Sequence, residues 1–115
     1  TLLASSAASD VYKRQENSRP SWFGFLITCK EGVDRNKLVQ EIEARGVQTR
    51  MLFAGNLTKH PCFDQMRAAG KGYRISGSLE NTDRIMKDTF WIGVYPGMTD
   101  EMLSAMADAI KEALN

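Results

Sequence analysis

Side chains able to do chemistry gather in one stretch of the 115-residue sequence, Thr49 to Phe63, TRMLFAGNLTKHPCF, where neither a helical nor a strand period accounts for their spacing. It holds Arg50 inside a β-like run, the pair Gly55-Asn56, and the corner Lys59-His60-Pro61 with the chain's only histidine. A guanidinium holds its N–H donors in one rigid plane, which suits a phosphate or a pair of sugar hydroxyls. The amide of Asn56 can donate and accept toward a sugar, and after a glycine it is equally suited to forming a turn. The imidazole of His60, beside Pro61, can meet a substrate or cofactor, or can cap and pack its own loop. Arg50, Asn56 and His60 are therefore the candidate substrate-binding residues, with Phe53 and Phe63 walling the site or packing the loop.

Composition narrows what such a loop can serve. A chain of 115 residues is one domain at most, and a domain of this size buries only about 60–65% of its unfolded surface. With 15 Lys and Arg against 14 Asp and Glu, all interspersed, the sequence has no electrostatic footprint for nucleic acid or for an anionic membrane. No apolar run approaches the roughly 20 residues that span a bilayer. Cys29 and Cys62 match no metal-ligand spacing and read as reduced thiols of a cytoplasmic protein.

The elements that must position the loop are legible on both sides of it. Trp22 to Thr28, WFGFLIT, is aromatic and β-branched, bounded by Pro20 and Gly32, and apolar on both faces, so it predicts a strand. Asp34 caps a helix over Arg35 to Arg45, with Val33 and Leu38 as a hydrophobic staple and Leu38, Val39 and Ile42 facing inward. Gly46 and Val47 end it, and its remaining charges read as a solvated face. Val47 to Phe53 predicts the second strand. After the loop come a short helix over Phe63 to Ala69, a Gly70-Lys71-Gly72 turn lacking the pattern of a phosphate loop, and a helix over Leu79 to Lys87 with Ser78 as its cap. Thr89 to Val94, TFWIGV, predicts a third strand, again apolar on both faces. Thr99 caps a last helix whose inward stripe is Met102, Leu103, Met106, Ala109, Ile110, Ala113 and Leu114.

This order predicts an α+β fold: a small, largely antiparallel three-stranded sheet with helices on one face. Two strands that are apolar on both sides need covering on both, yet about 95 residues can cover only one. Another domain or subunit is expected over the other. Residues 1–20 show no sustained period and no signal-peptide pattern. They are expected to form a non-native or disordered leader outside the 21–115 domain, because SSAASDVYKRQ resembles a translated sequencing-adaptor leader.

The segments SWFGFLITCKEGVDRNKLVQEIEARGVQTRMLFAGNLTKHPCF and NTDRIMKDTFWIGVYPGMTDEML resemble the C-terminal domain of the DegT/DnrJ-type sugar aminotransferase family. TRMLFAGN and FWIGVYPG further resemble its branch of CDP-4-dehydro-6-deoxyglucose 3-dehydratases, which serve lipopolysaccharide biosynthesis. The resemblance implies the small C-terminal domain of a fold type I enzyme, usually a homodimer, whose large domain carries pyridoxamine or pyridoxal 5'-phosphate. That cofactor is an electron sink for loss of a C3 hydroxyl from a 4-keto nucleotide sugar, a CDP-sugar in this branch. The branch's histidine in place of the Schiff-base lysine, and the cysteines of its iron–sulfur cluster, lie upstream of the matching region. His60, Cys29 and Cys62 therefore do not take those roles, this stretch contains no catalytic residue or metal site, and the chain alone is expected to be inactive.

Three other readings stay open at this level. A sugar aminotransferase of the same family would differ by an upstream lysine. A stand-alone α+β module that binds a small molecule would fold without upstream sequence. An RNA-binding split-βαβ domain would need basic and aromatic residues on its open sheet face, whereas Leu26, Ile92 and the scarcity of strand Lys or Arg speak against it.

Overall fold

The computed structural model describes residues 16, 17, 19 and 21–115, so the expected leader falls almost wholly outside the described residues. Three strands form one antiparallel sheet: β1 (Gly24–Thr28), β2 (Thr49–Met51) and β3 (Thr89–Gly93), in the order β1-β3-β2. Around them lie α1 (Arg35–Ala44), α2 (Asp64–Ala69), α3 (Glu80–Asp88) and α4 (Asp100–Ala113). This is the α+β arrangement expected from the order of elements.

Each boundary has a local cause. The Asp34 carboxylate accepts from the N–H groups of Asn36 and Lys37, satisfying two donors that the first turn of α1 leaves free. Gly46, at φ +83, turns the chain out of α1 where a side chain would be strained. Thr99 caps α4 by accepting from Met102 N–H. Ser78, expected to cap α3, stands one residue too early: the N-cap position is Leu79, which makes no side-chain cap bond, and Ser78 Oγ accepts only from Glu80 N–H.

The register divides the sheet into two unlike faces. Ile27 pairs with Phe90, and Thr49 and Phe25 flank Ile92, so these side chains share one face. Ile27, Phe90 and Ile92 pack there with Cys29, Leu38, Val39 and Ile42, and α1 covers them. Phe90 and Ile42 are fully buried. Leu26, Trp91 and Arg50 point to the other face, where Leu26 and Trp91 are only half-buried and Arg50 is exposed. There the Trp91 indole lies over Gly24, where a Cβ would come within 2.6 Å of Cε3. Phe23 meets that ring edge-on, with centroids 5.4 Å apart. Around this face Trp22 and Phe23 remain 46% and 65% exposed, while Phe25 and Met51, at the edge of the core face, are 40% and 43% exposed.

Three expectations are corrected. The second strand was expected over Val47 to Phe53 but pairs only over Thr49–Met51, because Phe53 N–H turns back to Met51 C=O at 2.8 Å and ends the ladder. The stripe of α4 reaches the core only through its later residues: Met106, Ala109, Ile110, Ala113 and Leu114 pack inward, while Met102 and Leu103 stay 42% and 46% exposed. The polar face of α1 is not wholly solvated. Arg35 donates to Thr89 C=O at 3.1 Å and to Met51 Sδ, and Glu43 accepts from Thr49 Oγ1 at 2.6 Å.

Candidate functional site

The loop leaving β2 is shaped by its own backbone before any side chain contributes. A tight turn at Leu52 places Phe53 at φ +46, in the left-handed region that side chains rarely occupy. Phe53 is 76% exposed, the highest value among the large apolar side chains of the described residues. Gly55, at φ +61, lies so close to Met86 that an added Cβ would stand 2.5 Å from Met86 Cγ. That approach seats the loop on α3.

Asn56 is the keystone of the loop and is 2% exposed. Its Nδ2 donates to Asp83 Oδ1 at 2.7 Å, and its Oδ1 accepts from the N–H and hydroxyl of Thr58 at 3.0 and 2.7 Å. Lys59 Nζ pairs with the other oxygen of Asp83 at 2.9 Å. The Lys59 ammonium, and then the Asn56 amide, hold the Asp83 carboxyl below the usual carboxylate range. His60 is half-buried, with Nε2 2.5 Å from Ala54 C=O. Arg67 donates to the carbonyls of Thr58 and His60 and pairs with Asp64, tying the far end of the loop to α2.

Arg50 stands apart from this network, on the uncovered face of the sheet opposite Trp91. It is exposed, and one guanidinium nitrogen donates to Thr49 C=O at 2.8 Å. Behind it, the Glu43 carboxyl is held low first by the Thr49 hydroxyl, then by the Thr49 N–H, with a smaller contribution from Arg50. Of the three residues singled out in the sequence, Asn56 and His60 lie on one braced loop with their polar atoms turned into it. Arg50 presents its charge outward from the strand before.

Sequence reasoning did not single out Asp83, Met86 or Arg67, although they hold the loop. The available signal was the three-residue spacing of Asp83 and Met86, which puts both on one face of α3.

Two depressions flank these elements. One, about 850 Å³, opens at the start of α1 between Lys30, Arg35, Arg84 and Lys87, with the carboxylates of Glu31, Asp34 and Asp88 among them. The other, about 240 Å³, is lined by Leu57, Phe63, Met66, Arg67 and Tyr73. Neither fits a pyridoxal phosphate. The first lacks flat apolar walls for a ring, and the second has no lysine for a carbonyl and no carboxylate for a pyridinium nitrogen. Among the described residues no three His, Cys, Asp or Glu side chains converge to hold a metal. Cys29 is buried, and that burial pushes its thiol up, while Cys62 is exposed on another element. Among the described residues no helix is long and apolar enough to cross a membrane.

Comparison with known proteins agrees with this architecture. The chain is 47% identical over 98 residues to the dTDP-4-dehydro-2,6-dideoxy-D-glucose 3-dehydratase of Saccharopolyspora spinosa, covering 84% of the chain and 20% of that protein. It is 50% identical over 99 residues to the lipopolysaccharide biosynthesis protein RfbH of Salmonella typhimurium, covering 84% and 22%. The chain thus spans about a fifth of the length of these curated relatives. The Escherichia coli GDP-4-keto-6-deoxy-D-mannose-3-dehydratase, solved with bound hydrated PLP, superimposes over 98% of this chain and 27% of its own with a TM-score of 0.69. At 23% identity that likeness is one of fold. The model of the DegT/DnrJ/EryC1/StrS aminotransferase family matches residues 1–111, and the chain belongs to that family.

Proposed function

We propose that this chain is the substrate-side small domain of a pyridoxamine- or pyridoxal-phosphate-dependent nucleotide-sugar 3-dehydratase that makes 3,6-dideoxysugars. The observation that carries this is the identity of 47% to a named 3-dehydratase, over a segment that includes the braced loop and the uncovered sheet face. The cofactor, held by a large domain of the longer protein, supplies an electron sink for loss of the C3 hydroxyl. The residues of this chain orient the substrate and exclude water. Arg50 offers its guanidinium to the diphosphate, and Asn56 and His60 contribute to substrate binding by fixing the wall on which it rests. The apolar face around Trp91 packs against the large domain, so that Arg50 and the loop become one side of a closed cleft. The same reading makes the substrate a CDP-sugar, the working protein a cytoplasmic homodimer, and any iron–sulfur cluster a feature of the longer protein.

The test is turnover by the full-length protein, supplied with the aminated cofactor and a reductant, on CDP-, dTDP- and GDP-linked 4-keto-6-deoxyhexoses. Loss of the C3 oxygen, read by mass spectrometry and best with the CDP-sugar, is the expected result. Amination at C4 with glutamate as donor would replace this reading by that of a sugar aminotransferase.

A further inference from the structure

We infer that Phe53 is a stacking platform for the nucleobase of the substrate, an inference that rests on the nucleotide-sugar reading above. Three observations converge on it. Phe53 is the only residue within 21–115, glycines aside, with a left-handed φ, +46, so its backbone is held in a costly conformation. The ring that this conformation presents is 76% exposed and so buries little against the rest of the chain. The backbone on either side is anchored: His60 holds Ala54 C=O, Gly55 lies against Met86, and Phe53 N–H is bonded to Met51 C=O.

Strain that no packing within the chain repays persists when a conformation serves a partner. A phenyl ring with two torsions, on a loop that cannot retreat, is pre-organised for a flat partner and loses little entropy on meeting one. Of the parts of a nucleotide sugar, the base alone offers a π-face. Arg50, three residues earlier and exposed, provides the charge for the diphosphate next to that base. Stacking of this kind reads the face of a base and not its edge, so Phe53 contributes affinity for any nucleotide without choosing among bases.

The experiment measures binding to the full-length protein of two probes, CDP and ribose 5-phosphate, for the unaltered protein, Phe53→Ala and Phe53→Tyr. Stacking predicts that Phe53→Ala weakens CDP by roughly 5- to 100-fold and leaves ribose 5-phosphate unchanged, while Phe53→Tyr keeps CDP within about twofold. Equal losses for both probes would overturn the inference in favour of a packing role. Unchanged CDP binding by Phe53→Ala would overturn it alone, leaving the nucleotide-sugar reading intact. Failure of the unaltered protein to bind CDP at all would remove that reading and the inference with it.

Discussion

The Asn56 amide, 2% exposed, donates to Asp83 Oδ1 at 2.7 Å and so ties the loop after β2 to a helix 27 residues further along the chain. A buried amide that makes all its bonds stabilises modestly, whereas removing one partner strands the others. Asn56→Ala is therefore expected to cost about 1–3 kcal/mol in urea unfolding and to expose the segment 52–60 to proteolysis. Asn56→Asp should cost more than Asn56→Ala, because it sets a second carboxylate against Asp83. The opposite ranking would show that the amide is not seated as described.

Asp83 and Glu43 together set a pH window. Both carboxyls are held below their ordinary range in the folded protein, Asp83 chiefly by Lys59 and Glu43 chiefly by the Thr49 hydroxyl. A lowered folded value means that the unfolded chain takes up protons first as pH falls. The stabilisation is thus present above the unfolded carboxyl range of about 4 and is lost below it. Unfolding midpoints should show no decline from these two groups between about pH 8 and pH 5.5, then fall below about pH 4. Asp83→Asn should flatten part of the acid decline, since the amide still offers Asn56 an acceptor but no longer titrates. Both groups are solvent-accessible, so added salt should shrink the effect.

Gly55 and Gly46 separate backbone strain from steric contact. Both have positive φ, +61 and +83, but a Cβ on Gly46 meets nothing within 4 Å, whereas one on Gly55 meets Met86 Cγ at 2.5 Å. Gly46→Ala should cost only the conformational penalty, about 1–2 kcal/mol. Gly55→Ala should cost that and more, and Met86→Ala placed in the same chain should recover part of the excess. Equal costs at the two glycines would mean that the loop does not seat on Met86.

How legible this was in the sequence depended on how local the cause was. The caps at Asp34 and Thr99 and the left-handed turn at Gly46 are decided within a few residues, and they were read correctly. The two-sided apolar character of WFGFLIT and TFWIGV likewise pointed to a second apolar face, on which Trp22 and Phe23 are 46% and 65% exposed. What could not be read depends on contacts distant in sequence. Asn56 is seated by Asp83, 27 residues on, and Arg35 reaches Thr89, 54 residues on, through the packing of loop and helices around the sheet. The early end of β2 was missed because nothing in LFAG announces a phenylalanine in a glycine-like conformation.

The uncovered face makes a prediction about the 115-residue chain by itself. With Phe23 65% and Trp22 46% exposed beside the Trp91 ring, it should bind an apolar dye and self-associate with rising concentration. Serine at both Trp22 and Phe23 should reduce the self-association, with a loss of stability of about 0.5–1.5 kcal/mol from the edge-on contact of Phe23 with Trp91. A dye-silent monomer at high concentration would remove the case for a domain packed over this face.

Phe53 offers a test in which stability should rise. Its φ of +46 costs a side-chain-bearing residue about 1–2 kcal/mol, and a ring 76% exposed returns little of that by burial. Phe53→Gly removes the strain but adds freedom to the unfolded chain, an opposing cost of about 0.5–1 kcal/mol. The net expectation is a gain of about 0.5–1 kcal/mol, seen as a melting temperature raised by about 2–6 °C. Phe53→Ala keeps the Cβ and with it the strain, so it should melt within about 0.5 kcal/mol of the unaltered protein. Stabilisation by glycine together with neutrality by alanine identifies the backbone conformation as the source of the cost. Were alanine strongly destabilising, the ring would be packing against the protein, and strain would no longer be the reason to look for its partner elsewhere.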